Sequence, residues 1–216
     1  MKLRCLILDH DDTMVNSTAT VHHPSFLEGV EKLRPGVTMT LDEYFAMNCD
    51  PGIFRYYKEV LKLTPRELDF EHDFWIDYVK SHVPQVYPGM KRLVERFHAA
   101  GGLLTVVSHN EKQNIVRDWR ENGLPEPDLV LGSEIPLDKV KPNPYPVEEI
   151  MRTFRLQKDE VLVVDDLLPG WQMAQNAGVP FAAACWAHHV PQIREHMQKN
   201  ARCFYTPDEL EAYIFG

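Results

Sequence analysis

The chain has 216 residues, 44% of them hydrophobic, and a formal net charge of −9. This length can bury a full core and suits one domain with an insertion or two small domains. The acidic balance, with no basic cluster to offset it, argues against a nucleic-acid partner. No apolar run approaches transmembrane length, and Asp9 comes too early for a signal peptide, so we expect a cytoplasmic protein with no membrane partner.

An apolar strand near the start of the chain ends in a cluster of carboxylates. Leu6-Ile7-Leu8 shows no polar alternation, which is typical of a central strand covered on both faces. Asp9, Asp11 and Asp12 follow, and their mutual repulsion is unfavourable unless a cation neutralises it. Asp9 and Asp11 are two residues apart, so both side chains leave the same face of an extended backbone. The alternative interpretation is a solvated acidic turn.

The segment 18–86 differs from the rest, because its apolar residues recur at helical spacing between turn-forming residues. Thr40 and Thr64 each begin a segment that fits a helix capping box. We predict a helical bundle domain at 18–86, inserted into a domain made of 1–17 and 87–216. Its aromatic residues are predicted to form the core of the bundle rather than a ligand cage. The apolar residues at helical spacing include Phe26, Tyr44, Phe54, Tyr57, Val60 and Phe70.

From Pro88 onward, predicted strands and helices alternate. This pattern predicts an α/β fold, a Rossmann-like three-layer α/β/α core with a parallel sheet, in addition to the inserted helical bundle. Leu103–Val107 is a second buried strand and leads to Ser108, and Val161–Val164 is a further strand that leads to Asp165-Asp166. The carboxyl ends of parallel strands share one edge of the sheet, so these polar groups should converge with the first acidic cluster.

The converging groups predict phosphoryl chemistry. Carboxylates from two strands make an oxygen site that suits Mg²⁺, and a hydroxyl with a lysine beside the cation can hold a phosphoryl group. Lys141 precedes the last of these strands, and Lys139 competes with it for this role. An aspartate in such a site can attack phosphorus and form an aspartyl phosphate. A second carboxylate two residues later can serve as general acid and base.

Four motifs in order resemble those of the haloacid dehalogenase superfamily. They are Asp9-His10-Asp11-Asp12-Thr13, Ser108 after a strand, Lys141-Pro142 and Asp165-Asp166. The resemblance covers 3–17 and about 88–186, and the insert lies where this superfamily places its first cap domain. Four motifs together are specific, whereas any one of them alone would be weak.

The resemblance implies a role for each matching residue. Asp9 would be the nucleophile and a metal ligand, and Asp11 would be the general acid and base, with its backbone carbonyl on the metal. Thr13 would support the turn, Ser108 would bind phosphate, and Lys141 would hold nucleophile and phosphate together.

The last motif would complete the metal site, with Asp166 as the preferred ligand of its pair and Asp165 in support. Two positions depart from the family pattern. His10 stands where an aliphatic residue is common, and we expect it to reach solvent or substrate. Gly170 stands where the family often carries another acid, so no ligand is expected from that position.

Further residues are predicted to bind substrate. His109 and Asn110 follow the predicted phosphate-binding serine, and Asn48 and Asp50 lie in a turn-rich stretch of the insert where cap loops would select the substrate.

The sequence as a whole predicts a Mg²⁺-dependent phosphatase for a small phosphorylated metabolite, acting as a monomer or weak homodimer. Within the family, Asp11 argues against a dehalogenase and a phosphonatase. The alternatives are a phosphomutase on the same scaffold, a phospho-accepting signalling receiver, and a catalytically silent binding protein.

Overall fold

The computed structural model describes residues 2–49 and 51–216. The chain divides into two compact units. Met1–Asn16, Gln85–Ala187 and Pro191–Gly216 make the first unit, and Ser17–Pro84 with His188–Val190 make the second. Within the described ranges, no helix combines the length and the apolar character needed to cross a membrane.

A parallel sheet forms the centre of the first unit. Its strands in the described chain are β1 Cys5–Leu8, β2 Leu103–Val107, β3 Leu129–Leu131, β4 Val161–Asp165, β5 Phe181–Ala184 and β6 Arg202–Phe204. Their order is β3-β2-β1-β4-β5-β6, and every neighbouring pair is parallel. The chain builds outward from β1 to β3 and then returns to place β4 on the other side of β1. The carboxyl ends of β1, β2 and β4 are therefore adjacent, at the point where ligands bind in open α/β sheets.

The second unit is helical. Its α-helices are α1 His23–Leu33, α2 Leu41–Cys49, α3 Ile53–Arg55 and α4 Pro65–Ser81, with π-helical turns at Thr18–His22 and Tyr56–Val60. Both predicted capping boxes are confirmed, because the side chains of Thr40 and Thr64 exchange hydrogen bonds with Glu43 and Glu67. One buried hydrophobic cluster of this unit contains Phe26, Val30, Tyr44, Met47, Tyr57 and Leu63.

The prediction of a core position was wrong for two aromatic residues of the insert. Phe54 is 68% exposed and Phe70 is 42% exposed. Helical spacing places residues on one stripe of a helix, but it does not show whether another element covers that stripe.

The remaining helices pack on the two faces of the sheet. They are α5 Met90–Ala99, α6 Lys112–Glu121, α7 Tyr145–Phe154, α8 Leu168–Ala177, α9 Pro191–Asn200 and α10 Pro207–Phe215. Leu6 and Leu8 of β1 pack in one hydrophobic cluster with Ile115 of α6. The alternate residue Ile7 packs in a second cluster with Ile150 of α7. The predicted α/β class, with a parallel sheet covered on both faces, is confirmed.

Candidate active site

A buried ion-pair network connects two strand ends of the first unit. Lys141 lies in the connection before α7, and its Nζ is 2.6 Å from Asp9 Oδ1 and 2.8 Å from Asp165 Oδ2. All three side chains are buried. Lys139, the competing lysine, instead places its ammonium 4.6 Å from the centre of the Tyr145 ring. Lys141 is therefore the lysine that joins the ends of β1 and β4.

Three carboxylates crowd around this single ammonium. Asp9, Asp165 and Asp166 each offer an oxygen within 4.8 Å of the others. Burial, together with the neighbouring carboxylates, raises the pKa of Asp9 and raises that of Asp166 to about 8, although Lys141 opposes both shifts. When the three carboxylates are ionised, the ammonium of Lys141 alone does not balance their negative charge. Closely spaced carboxylate oxygens are ligands for a hard divalent cation, so these residues fit the metal that the family implies.

The two aspartates at the end of β4 make different contacts. Asp165 uses both oxygens, since Oδ2 accepts from Lys141 and Oδ1 accepts from the backbone N–H of Leu167 at 2.9 Å. Asp166 Oδ1 accepts from the hydroxyl of Thr13 at 3.1 Å. The predicted turn residue Thr13 thus also orients a carboxylate of the cluster, a contact that the sequence did not indicate.

Asp11 does not belong to the three-carboxylate cluster in the described chain, and its side chain contacts Asn110. The Asn110 amide Nδ2 lies 3.0 Å from Asp11 Oδ2 and 3.3 Å from Oδ1. The Asn110 Oδ1 accepts from the Glu111 backbone N–H at 2.8 Å and from Asn114 Nδ2 at 3.1 Å. These two donors fix the amide so that its NH₂ group faces Asp11. Sequence reasoning assigned Asn110 to substrate and missed this contact.

The segment after β2 also contacts Lys141. Ser108 is buried, and its Oγ accepts from the Asn110 backbone N–H at 3.1 Å. His109 Nε2 donates to the carbonyl oxygen of Lys141 at 3.3 Å. Burial lowers the pKa of His109, and the Lys141 ammonium lowers it further. The neutral ring therefore stabilises the backbone position of Lys141 through this hydrogen bond.

The predicted substrate residues of the insert are placed only in part. Asn48 is exposed in the last turn of α2, and Asp50 lies outside the described residues. Their role in selecting a substrate stays a prediction.

The expectation for His10 was wrong. Its side chain is fully buried, with Nε2 3.1 Å from Asp118 Oδ2 of α6. Burial alone would lower the pKa of His10, but the Asp118 hydrogen bond and nearby carboxylates raise it on balance. Strand alternation could have indicated this, because position 10 continues the apolar face of Leu6 and Leu8.

The structure gives a steric reason for the glycine at position 170. A Cβ at this position of α8 would lie 2.0 Å from Asp165 Oδ2 and 2.1 Å from Asp165 Cγ. The carboxylate of Asp165 therefore occupies the space that any side chain at position 170 would need. The sequence shows the departure from the family pattern but not this cause.

Comparison with known proteins identifies the family. The family model for haloacid dehalogenase-like hydrolases matches residues 6–184. The chain belongs to this family. The predicted superfamily and the predicted hydrolase class are thereby confirmed.

Individual relatives extend this comparison along nearly the whole chain. The chain is 25% identical over 191 residues to pyrophosphatase PpaX of Halalkalibacterium halodurans, covering 87% of this chain and 86% of the relative. It is 26% identical over 155 residues to a phosphoglycolate phosphatase of Vibrio vulnificus, covering 67% of each. A crystal structure of a putative phosphatase from Clostridium difficile shares the fold, with a TM-score of 0.81 at 14% identity and 99% coverage of both chains.

Proposed function

We propose that the protein is a Mg²⁺-dependent phosphatase that hydrolyses a small phosphorylated metabolite through an aspartyl phosphate on Asp9. The observation that carries the proposal is the buried contact of Lys141 with Asp9 and Asp165, beside a further carboxylate. The family, and relatives that are a pyrophosphatase and a phosphoglycolate phosphatase, support the same chemistry.

The metal would be held mainly by Asp9 and Asp166, because Asp165 already accepts hydrogen bonds at both oxygens. The resemblance adds the backbone carbonyl of Asp11 as a further ligand. When bound, Mg²⁺ supplies positive charge that offsets the charge of the phosphoryl group. Lys141 supplies a second positive charge at a fixed position beside Asp9.

In the first step, a carboxylate oxygen of Asp9 forms a bond to phosphorus while the bond from phosphorus to the leaving oxygen breaks. The leaving oxygen takes a proton from the carboxyl group of Asp11. In the second step, water attacks the phosphorus of the aspartyl phosphate, and Asp11 accepts a proton from this water. The bond from phosphorus to Asp9 breaks, and inorganic phosphate is released. Ser108 would donate a hydrogen bond to the phosphoryl oxygens in both steps.

Asp9→Asn tests this proposal against a matched control. Asparagine is nearly isosteric but lacks the nucleophilic charge, so phosphate release should fall below detection while the thermal melt stays cooperative. Asp12→Asn changes a charge in the same loop outside the three-carboxylate cluster, at a backbone φ of 58° that asparagine tolerates. This control should keep turnover within about tenfold of wild type, which is less than the roughly 10²–10⁴-fold loss expected when a general acid–base group is removed.

The substrate panel should contain sugar phosphates, 2-phosphoglycolate, pyrophosphate, nucleotides and pyridoxal phosphate, with and without Mg²⁺. Repeated release of inorganic phosphate supports a phosphatase. Isomeric phosphoesters without phosphate release would indicate a phosphomutase, and a single phosphorylation per chain would indicate a receiver. Retained turnover in folded Asp9→Asn would contradict the assignment of the nucleophile.

A further inference from the structure

His10 lies between two residues of the proposed site but faces away from it. Its side chain has no exposed surface, and its Nε2 lies 3.1 Å from Asp118 Oδ2. Among the described residues, its other ring nitrogen, Nδ1, has no hydrogen-bond partner. The hydrogen bond to Asp118 is therefore the one polar contact that holds the ring in the described structure.

Arg117 and His10 contact different oxygens of Asp118. The guanidinium of Arg117 donates to Asp118 Oδ1 from Nε at 2.8 Å and from Nη2 at 2.6 Å. The other oxygen, Oδ2, accepts from the imidazole. Burying an imidazole or a carboxylate is unfavourable unless the group is paired. The three side chains therefore stabilise one another as a set, because His10 pairs with Asp118 and Asp118 pairs with Arg117.

Strand alternation explains why the link lies behind the site. Leu6 and Leu8 pack on the face of the sheet that α6 covers, in one cluster with Ile115 and Trp119 of that helix. His10 continues this face beyond the end of β1, whereas Asp9 leaves the opposite face, toward Lys141. The backbone is also fixed here, since the carbonyl of His10 accepts from the N–H groups of residues 14 and 15.

A second link joins the same two segments on the other side. Asn110, between β2 and α6, donates to the carboxylate of Asp11. The loop that carries Asp9 and Asp11 is thus attached to the β2–α6 segment at two points, by Asn110 in the site and by Asp118 behind it. Two attachments on opposite faces resist rotation of the loop as well as displacement.

We propose that His10 and Asp118 are positioning residues, which hold the peptide between Asp9 and Asp11 so that nucleophile and acid stay aligned. This inference rests on the proposed function for its catalytic readout. A displacement of about 1 Å at reacting groups can cost roughly 100-fold in rate. Partners behind metal ligands typically contribute 10- to 100-fold in metal affinity or activity. The link should therefore affect kcat and the affinity for Mg²⁺ more than it affects KM.

Two substitutions at position 10 separate the hydrogen bond from the bulk of the ring. His10→Leu removes the donor, and His10→Gln keeps an N–H near the place of Nε2. We expect His10→Leu to lower kcat about 100-fold with KM within about threefold, and His10→Gln to recover most of the loss. Asp118→Asn provides a second variant, and it should lower kcat in the same direction.

Thr105→Val is the matched structural control. Thr105 is buried in β2, and its hydroxyl donates to the Leu6 carbonyl of β1 at 3.0 Å, away from the catalytic loop. Its loss should lower the melting temperature but leave kcat near the wild-type value. If His10→Leu and Thr105→Val lower kcat equally at similar melting temperatures, the role of His10 is only structural and the proposal is overturned.

The midpoint of Mg²⁺ binding, which is the concentration at half saturation measured by isothermal titration calorimetry, gives a readout without turnover. We expect this midpoint to increase about tenfold in His10→Leu and to return toward wild type in His10→Gln. If the wild-type protein turns over no phosphoester but the midpoint still shifts, the proposed function fails and the positioning role stands. An unchanged midpoint and an unchanged kcat in His10→Leu overturn the positioning role alone.

Discussion

Gly170→Ala should damage the acidic cluster although alanine is the better helix former. The added Cβ would lie 2.0 Å from Asp165 Oδ2, so the carboxylate must move. Asp165 then gives up its contacts with Lys141 at 2.8 Å and with the Leu167 N–H at 2.9 Å. Hydrogen bonds to charged groups contribute about 1.5–3 kcal/mol each. The higher helix propensity of alanine offsets about 1 kcal/mol of this cost, so we expect the free energy of unfolding to fall by about 2–5 kcal/mol.

Urea unfolding followed by circular dichroism measures this loss, with phosphate release measured on the same samples. Gly29→Ala in α1 is the matched control, because the three atoms nearest to its Cβ would all belong to the Phe74 ring, with Cδ1 at 3.1 Å. We expect that control to change the free energy of unfolding by no more than about 1 kcal/mol. We expect Gly170→Ala to lose most phosphatase activity, because Asp165 no longer orients Lys141.

A double variant separates the steric cause from a general effect on α8. On an Asp165→Gly background, the Asp165 Oδ2, Cγ and Cβ atoms that the added Cβ would meet at 2.0, 2.1 and 2.5 Å are all absent. Gly170→Ala should therefore cost clearly less on that background than in the wild-type protein. If Gly170→Ala leaves the midpoint of unfolding at or above the wild-type value, the assignment of Gly170 as the space for Asp165 is refuted.

Three further predictions concern pH, the proposed acid and the insert. The pKa of Asp166 is raised to about 8 without metal, against about 3.9 in an unfolded chain, so the folded state binds more protons between these values. The contribution of Asp166 to stability is therefore present below about pH 4 and is lost as pH rises toward 8, at roughly 1 kcal/mol per pH unit. Urea unfolding in EDTA should show a lower free energy of unfolding at pH 8 than at pH 5. Saturating Mg²⁺ should reduce this difference. Asn110→Ala should lower kcat/KM more for an alkyl phosphate than for p-nitrophenyl phosphate, because it releases Asp11; equal losses would argue against a role in leaving-group protonation. Asn48→Ala should change the preference among natural phosphoesters but leave acetyl phosphate hydrolysis intact, and an unchanged ratio of kcat/KM values would place specificity elsewhere.

The fold class and the convergence of the site follow from the sequence alone. Parallel strands bring their carboxyl ends to one edge, so an apolar run before Asp9 and another before Asp165 are sufficient to predict that the two residues meet. Lys141 could be preferred over Lys139 from its motif, and in the structure Lys141 contacts both aspartates. These inferences succeed because they depend on local pattern and on a general rule of topology.

The contacts that tune the site depend on tertiary structure. His10 and Asp118 are separated by 108 positions, and Asn110 and Asp11 by 99. Their pairing depends on how α6 packs on the sheet, which no local pattern encodes. Whether a side chain fits at position 170 depends on the rotamer of Asp165, whose carboxylate occupies that space. The partner that a side chain meets at the end of a strand, and the space beside it, are set by packing between distant segments, so the sequence by itself does not determine them.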